Sequence, residues 1–215
     1  MANTVDARFW DRVARRYARS KIGDPQGYER SLERTRALLG PGDRALELGC
    51  GTGMTALRLA GSVQAYLATD LSPGMIAIAE ERLLSDPVSQ LGFRTATAES
   101  LSAEAIRYDA VLGFNYLHLV RDLADTLRHV HGMLVPGGVF ISKTPCLGDM
   151  NPLIRLALLP ALRAVGLAPH VRSLRAADLG EQIRAADFEI VTVEGHASKG
   201  KDTRPFIVAR RPILA

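Results

Sequence analysis

Three glycines alternate with other residues after a short apolar segment, in the run A-L-E-L-G-C-G-T-G from Ala45 to Gly53. Arg44 to Leu48 has the apolar alternation of a strand, and Met54 to Ala60 has the composition of a helix start, so the glycines occupy a strand-to-helix turn. Glycine tolerates positive φ and places no side chain between backbone and ligand, and the first N–H groups of a helix lack partners within it. The pattern therefore predicts a ligand site at this turn.

Two acidic residues narrow the type of ligand. Glu47 lies two residues before the first glycine, where its carboxylate repels a pyrophosphate and attracts an amino or sulfonium group. The glycines follow G-x-G-x-G and not the G-x-G-x-x-G of dinucleotide-binding proteins. Asp70 ends the next apolar segment, roughly 20 residues after the turn, where an acid accepts hydrogen bonds from ribose hydroxyls. We expect a nucleoside cofactor with a cationic end.

Strands and helices are predicted to alternate around this turn. Strands are predicted at Ala65 to Thr69, Gly92 to Ala96, Tyr108 to Tyr116, Val139 to Thr144, Glu189 to Glu194 and Arg204 to Arg210. Helices are predicted at Asp6 to Ser20, Tyr28 to Leu39, Pro73 to Leu84 with Ser72 as N-cap, Asp122 to Leu134 and Ala176 to Ala186. Such alternation implies an α/β domain whose parallel sheet is covered on both faces.

The whole chain, 1–215, is predicted to form a single domain. Residues 1–40 are interpreted as a helical lid. Residues 146–175 are interpreted as an inserted helical cap, because Asn151 to Gly166 is rich in leucine and interrupted by Pro160. The cap leucines could line an apolar pocket, or pack on the core or on a second subunit.

Four stretches together resemble the motifs of class I S-adenosylmethionine-dependent methyltransferases of the small-molecule type. They are E-L-G-C-G-T-G from Glu47, T-D-L-S-P-G-M-I-A-I-A-E from Thr69, Y-D-A-V-L-G-F-N-Y-L-H-L from Tyr108 and M-L-V-P-G-G-V-F-I-S from Met133. The match covers most of the chain. It implies a Rossmann-like seven-stranded sheet, mostly parallel, with an antiparallel last strand inserted between the fifth and sixth. It also implies S-adenosylmethionine as the cofactor.

The resemblance assigns cofactor contacts to five parts of the chain. The methionine end is held by Glu47, Gly49, Cys50, Gly51, Thr52 and Gly53, the ribose by Asp70, and the adenine is flanked by Leu71 and Met75. The chain passes the methionine moiety at Gly113 and Phe114, and Tyr17 of the N-terminal helix contacts the cofactor. The family's usual acid after the third strand is replaced by Thr97, which leaves the Ala98 N–H, with Thr97 or Glu99, to meet the adenine.

Several of these residues also suit plainer roles. Asp70 fits a helix N-cap or a solvated acid, and Met75 fits a core position. Tyr17 also fits a residue that packs its helix onto the sheet. The three glycines are harder to explain as a cap, because a cap needs one glycine after a helix and not three before it.

Methyl transfer from a sulfonium is an in-line displacement, so the protein mainly positions the reactants and excludes water. His118 and Tyr116 follow the fourth strand and are the candidate general bases, although His118 also suits a residue that packs the loop. The expected function is methyl transfer to a small acceptor, with an apolar one favoured by the leucine-rich cap. Alternatives are a non-catalytic protein that binds S-adenosylmethionine, an NAD-dependent oxidoreductase and a macromolecule methyltransferase. Oxygen, nitrogen and carbon acceptors remain open.

The composition limits the kinds of partner and the location to be expected of the protein. The 215 residues carry a formal charge of +4, but 23 of the 27 basic residues are arginine, which indicates a compositional preference and not nucleic-acid binding. The N-terminus lacks the apolar segment of a signal peptide, and no apolar run is long enough to span a membrane, so a cytoplasmic location is expected. Two cysteines predict neither a disulfide nor a metal site. A monomer or a homodimer is expected.

Overall fold

A computed structural model describes residues 2–149, 170–200 and 202–213. Two helices come first, α1 (Ala2–Ala18) and α2 (Pro25–Arg36). The following elements are β1 (Arg44–Leu48), α3 (Met54–Leu59), β2 (Ala65–Asp70), α4 (Pro73–Ser85), β3 (Leu91–Thr95), α5 (Ala98–Ser102) and β4 (Tyr108–Phe114). They continue with α6 (Leu123–Met133), β5 (Leu134–Lys143), α7 (Ala176–Ala185), β6 (Glu189–Glu194) and β7 (Phe206–Arg210). Short 3-10 turns cover Ala60–Ser62 and Leu147–Asp149.

The strands form one seven-stranded sheet in the order β3-β2-β1-β4-β5-β7-β6. Strand β7 is antiparallel to both of its neighbours, and the pairs among β1 to β5 are parallel. This confirms the predicted Rossmann-like sheet with its antiparallel last strand inserted between the fifth and sixth. Because β7 runs in the opposite direction, its amino end lies at the same edge of the sheet as the carboxyl ends of β1 to β5.

Helices cover both faces of the sheet, as predicted. In β1, Leu46 and Leu48 point to one face and pack in a core with residues of α5, α6 and α7 such as Leu127. Ala45 points to the other face and packs with residues of α2 and α3 such as Leu59. Neighbouring residues of a strand face opposite sides, so one five-residue strand contributes to two cores. Burying each such leucine contributes about 1.5–3 kcal/mol to stability.

Some element boundaries differ from the prediction for local reasons. Helix α2 begins earlier than Tyr28 because the Asp24 side chain accepts a hydrogen bond from the Gly27 N–H and caps the helix. Strand β4 ends before Tyr116 because Asn115 adopts a positive φ of 51°. Helix α5 was not predicted at all, and Thr97 is its N-cap.

Of the predicted cap, 146–175, residues 150–169 lie outside the described residues; the described parts contain only the 3-10 turn Leu147–Asp149. The single domain with its lid and cap stays a prediction. No helix in the described ranges combines the length and the apolar character that a membrane crossing needs. The cytoplasmic location stays a prediction as well.

Candidate active site

The glycine turn after β1 adopts a backbone that few other residues tolerate. Gly49, Gly51 and Gly53 have φ values of 69°, 54° and 77°. A Cβ on Gly49 would lie 2.6 Å from the ring of Tyr116, and one on Gly53 would lie 2.6 Å from the ring of Phe93. Gly53 therefore allows the turn to pack against the sheet and α4, whereas Gly49 allows the aromatic ring after β4 to approach the turn.

A cavity of about 1040 Å³ runs along the edge of the sheet where β1 to β5 end and β7 begins. Most of the predicted site residues line it: Tyr17, Glu47, Gly49, Cys50, Gly51, Thr52, Asp70, Leu71, Met75, Thr97, Ala98, Glu99, Phe114, Tyr116 and His118. Gly53 and Gly113 do not line the wall. They lie behind it, with Gly113 against the ring of Tyr116.

Asp70 is held rigidly at the end of β2. One carboxylate oxygen accepts a hydrogen bond from the Gly51 N–H at 3.0 Å, and the other accepts one from the Ser72 N–H at 2.9 Å. The residue is only 8 % exposed, and burial raises the pKa of its carboxyl although the backbone N–H groups oppose this. The N-cap of α4 is Ser72, whose hydroxyl accepts from the Met75 N–H, so Asp70 does not act as a cap. Its remaining lone pairs are available to a ligand.

Glu47 is buried on the wall of the cavity, with 2 % exposure. One oxygen accepts a hydrogen bond from the Tyr66 hydroxyl at 2.8 Å, and no salt bridge to Glu47 occurs in the part of the chain that the structure describes. Burial raises the pKa of this carboxyl to about 7. A buried carboxyl without a cation favours a positively charged ligand. We refer to Glu47, Asp70 and the glycine turn as the acidic side of the cavity.

Helix α1 lies over the acidic side. The ring of Tyr17 comes within 3.6 Å of where a Cβ on Gly51 would lie. The guanidinium of Arg82, on α4, donates to the backbone and hydroxyl oxygens of Thr52 at 2.8 and 2.7 Å. It also donates to the carbonyl of Ala18, at the end of α1, at 3.0 Å. One side chain therefore joins the glycine turn to the helix that covers it.

Two further contacts fix α1 in this place. Asp11 accepts hydrogen bonds from the Ser72 hydroxyl at 2.6 Å and from the Gly74 N–H at 2.9 Å, both at the start of α4. Asp6 forms a bidentate salt bridge with Arg121, in the segment after β4, with N–O distances of 2.8 and 2.9 Å. Helix α1 thus bridges elements that follow β2 and β4.

At the end of β3, the side chain of Thr97 is already used. Its hydroxyl accepts from the Ser100 N–H, and the Ser100 hydroxyl accepts from the Thr97 N–H, which forms a capping box. The Thr97 hydroxyl thus serves as the N-cap of α5, and its contact with the adenine stays a prediction. Ala98 is buried and Glu99 is exposed. Asp125 of α6 also lines this end of the cavity, and no sequence motif pointed to it.

The segment after β4 carries the two candidate bases. Burial, with a smaller effect of Asp70, raises the pKa of Tyr116, so this residue keeps its proton. Burial, with a smaller effect of Arg204, lowers the pKa of His118 to about 4, so the imidazole is neutral at pH 7. The Nδ1 atom of His118 is buried and has no hydrogen-bond partner among the described residues. Of the two, His118 is the group able to accept a proton.

Two basic residues line the cavity beyond His118, and no sequence motif pointed to either. Lys143 is half-buried at the end of β5, and Arg204 is exposed just before β7. Neither forms a salt bridge with a carboxylate of the described residues. They share a wall because Lys143 pairs with Phe206, two residues after Arg204, in the antiparallel β5–β7 ladder. We refer to Lys143 and Arg204 as the basic side of the cavity.

Comparison with known proteins identifies relatives. A family model described as a methyltransferase domain matches residues 46–140. The ubiquinone biosynthesis O-methyltransferase of Xanthomonas axonopodis pv. citri is 30 % identical, over 76 % of this chain and 70 % of that protein. The protein of the same description from Methylocella silvestris is 31 % identical, but the matched part spans only 58 % of its length. The solved S-adenosylmethionine-dependent methyltransferase of Mesorhizobium loti shares the fold, with a TM-score of 0.67, 23 % identity and coverage of 83 % of this chain and 96 % of that one.

Proposed function

This chain belongs to the S-adenosylmethionine-dependent methyltransferases, and we propose that it transfers the methyl group of that cofactor to a small-molecule acceptor bound in the same cavity. The acidic side supports this proposal most strongly. It presents two buried carboxyls, Glu47 and Asp70, on either side of a glycine turn. Such a wall repels phosphates and attracts an amino or sulfonium group.

The residues present suit S-adenosylmethionine. Glu47 lacks a cation within salt-bridge distance in the described residues and would neutralise the positive methionine end. Asp70 has its carboxylate fixed by two backbone N–H groups and keeps lone pairs for the ribose hydroxyls. The Ala98 N–H, in the first turn of α5, has no partner within that helix, and Ala98 lines the cavity, which supports its assignment to the adenine. Tyr17, on α1, would cover the cofactor on the acidic side.

When bound, the cofactor supplies an electrophilic methyl group on a sulfonium. The role of the protein is to hold the acceptor in line with that group and to exclude water. His118, which lines the cavity and is neutral at pH 7, takes the proton of a hydroxyl or amino acceptor. Tyr116 retains its own proton and positions the glycine turn through its ring.

The proposal predicts a specific cofactor profile, which isothermal titration calorimetry can test. The wild-type protein should bind S-adenosylmethionine and S-adenosylhomocysteine and should give no heat with NAD. Asp70→Ala should weaken binding of S-adenosylmethionine by about 1–3 kcal/mol, because it removes charge-assisted hydrogen bonds to the ribose.

Asp43→Ala is the matched control. Asp43 also accepts a backbone hydrogen bond, from the Gly40 N–H at 2.7 Å, but it precedes β1 and does not line the cavity. Its replacement should leave cofactor affinity unchanged. Binding of NAD alone would overturn the proposal, and equal affinity of the Asp70 variant and wild type would remove Asp70 from the ribose site. Binding without turnover on any acceptor would indicate a non-catalytic cofactor-binding protein.

A further inference from the structure

We propose that the basic side is an anion-binding subsite, in which Lys143 and Arg204 hold a negatively charged oxygen group of the methyl acceptor. This inference rests on the proposed function and names the class of its substrate: a small molecule with a carboxylate or a phosphate at a distance from the group that is methylated. The apolar acceptor expected from the leucine-rich stretch depends on residues outside the described ranges.

Lys143 is held in position by a chain of hydrogen bonds. Its Nζ donates to the Ser31 hydroxyl at 2.7 Å and to the Gly27 carbonyl at 3.3 Å, both on α2. The Ser31 hydroxyl lies 3.0 Å from Nδ1 of the buried His196, whose Nε2 lies 3.1 Å from a carboxylate oxygen of Glu194. An ammonium has three N–H donors, and these contacts use two of them. The third forms no hydrogen bond with the described residues, and Lys143 lines the cavity.

Two carboxylates near the basic side, those of Asp24 and Asp202, already accept hydrogen bonds from other groups. Asp24 accepts from the N–H and hydroxyl of Ser198 and from the Gly27 N–H, and these bonds lower its pKa to about 2. Asp202 accepts from the N–H groups of His196, Ala197 and Arg204. Both acids moderate the local positive charge. Neither comes within salt-bridge distance of Lys143 or of the Arg204 guanidinium, so the two cations keep donors for a ligand.

The order of the strands places this pair on the acceptor's side of the cavity. Along the sheet edge, Asp70 ends β2, the glycine turn follows β1, His118 follows β4, and Lys143 ends β5. Neighbouring strands are about 4.8 Å apart, so β5 lies about 10 Å from β1 and beyond the candidate base. The proposed function puts the methionine end of the cofactor, with its carboxylate, at the glycine turn after β1, two strands away from Lys143. An anion at the basic side therefore belongs to the second ligand.

Calorimetry on the protein saturated with S-adenosylhomocysteine tests the subsite without requiring turnover. The probes are 3,4-dihydroxybenzoate, 3,4-dihydroxybenzamide, which has the same shape without the charge, and inorganic phosphate. We expect the benzoate to bind about tenfold or more tightly than the benzamide, because charge-assisted hydrogen bonds are lost with the amide. Heat from inorganic phosphate, abolished by the same variants, would assign a phosphate group to the natural acceptor.

Lys143→Gln and Arg204→Gln should each reduce that preference, and the double variant should bind acid and amide within about twofold. Glutamine can still donate to Ser31, so the first variant removes the charge and keeps the hydrogen bond. Lys199→Gln is the matched control, since Lys199 is exposed on the same β6–β7 connection and does not line the cavity.

Two results would overturn the subsite. One is equal binding of acid and amide to the wild-type protein. The other is a loss of S-adenosylhomocysteine affinity in the Lys143 and Arg204 variants, which would assign the cations to the cofactor's carboxylate. Failure of the wild-type protein to bind the cofactor at all would instead overturn the proposed function.

Discussion

The two sides of the cavity differ in how they are built. On the acidic side, Asp70 is fixed by N–H groups of Gly51 and Ser72, which lie 19 and two residues away along the chain. On the basic side, Lys143 is fixed by Ser31 and Gly27, which lie 112 and 116 residues away. The acidic side is thus built from one strand-turn-helix unit and its neighbour, whereas the basic side joins elements that are far apart in the sequence.

This difference has a chemical counterpart. The acidic side presents backbone atoms and two carboxyls to a ligand of constant structure, and α1 covers it. The basic side presents long side chains from the end of β5 and from the residues just before β7. A family that keeps its cofactor and changes its acceptors needs a site divided in this way, because binding groups for the acceptor can then vary without disturbing those for the cofactor.

Replacing His118, which lies between the two sides, should separate cofactor binding from turnover. His118→Ala should lower kcat by about 10²-fold or more, because proton removal from the acceptor is lost, and it should leave the Kd for S-adenosylmethionine unchanged. Tyr116→Phe is the control, since it keeps the ring against Gly49 and removes only a hydroxyl that stays protonated. Unchanged turnover in the His118 variant would show that this residue only packs the loop after β4.

The next largest effect is expected from Glu47, and it depends on pH. Its pKa of about 7 means that the free protein must release a proton from Glu47 to bind a cationic ligand below pH 7. The Kd for S-adenosylmethionine should therefore rise about tenfold from pH 8 to pH 6. In Glu47→Gln the affinity at pH 8 should fall about 10- to 100-fold. Titration of the cofactor's own amino group is common to both proteins, so any pH dependence that persists in the variant is not due to Glu47.

The raised pKa of Glu47 also predicts that the free energy of unfolding falls as pH rises. A buried carboxyl with a raised pKa stabilises the fold while it is protonated, and this contribution is lost as pH rises through about 7. At pH 8 the free Glu47→Gln protein should be more stable than wild type by up to roughly 3 kcal/mol. Denaturant unfolding at pH 5 and pH 8 measures this. A variant less stable than wild type at pH 8 would show that burial does not disfavour the ionised carboxylate of Glu47.

The smallest effect is expected where α1 is attached. Asp6→Ala removes the salt bridge to Arg121, which is partly exposed, so the loss in S-adenosylmethionine affinity should be at most about 1 kcal/mol. Asp86→Ala, at the C-terminal end of α4 and away from the cavity, provides the baseline. A large loss of affinity in the Asp6 variant would mean that α1 depends on this one contact and not on Asp11 and Arg82 as well.

The sequence predicted the acidic side far better than the basic side, for a physical reason. The glycine turn, Glu47 and Asp70 each carry their role in local spacing, because a turn and the strands beside it dictate their positions. Thr97 was harder to interpret, since its hydroxyl also suits an N-cap and the short helix α5 leaves no periodic pattern. Lys143 and Arg204 are adjacent only through the antiparallel β5–β7 pairing, and nothing in their immediate sequence marks either one as part of a site.

The reversed direction of β7 has a consequence for how this protein can be re-engineered. Because β7 enters the sheet from the edge where the other strands end, the connection between β6 and β7 forms one wall of the cavity. That connection is a hairpin loop, so its exposed side chains can be varied without shifting the register of the five parallel strands. His196, Ser198 and Asp202 should be kept, because their hydrogen bonds hold the loop together and join it to α2 and its N-cap. Libraries aimed at new acceptors should therefore be concentrated on this loop, and the glycine turn should be left intact.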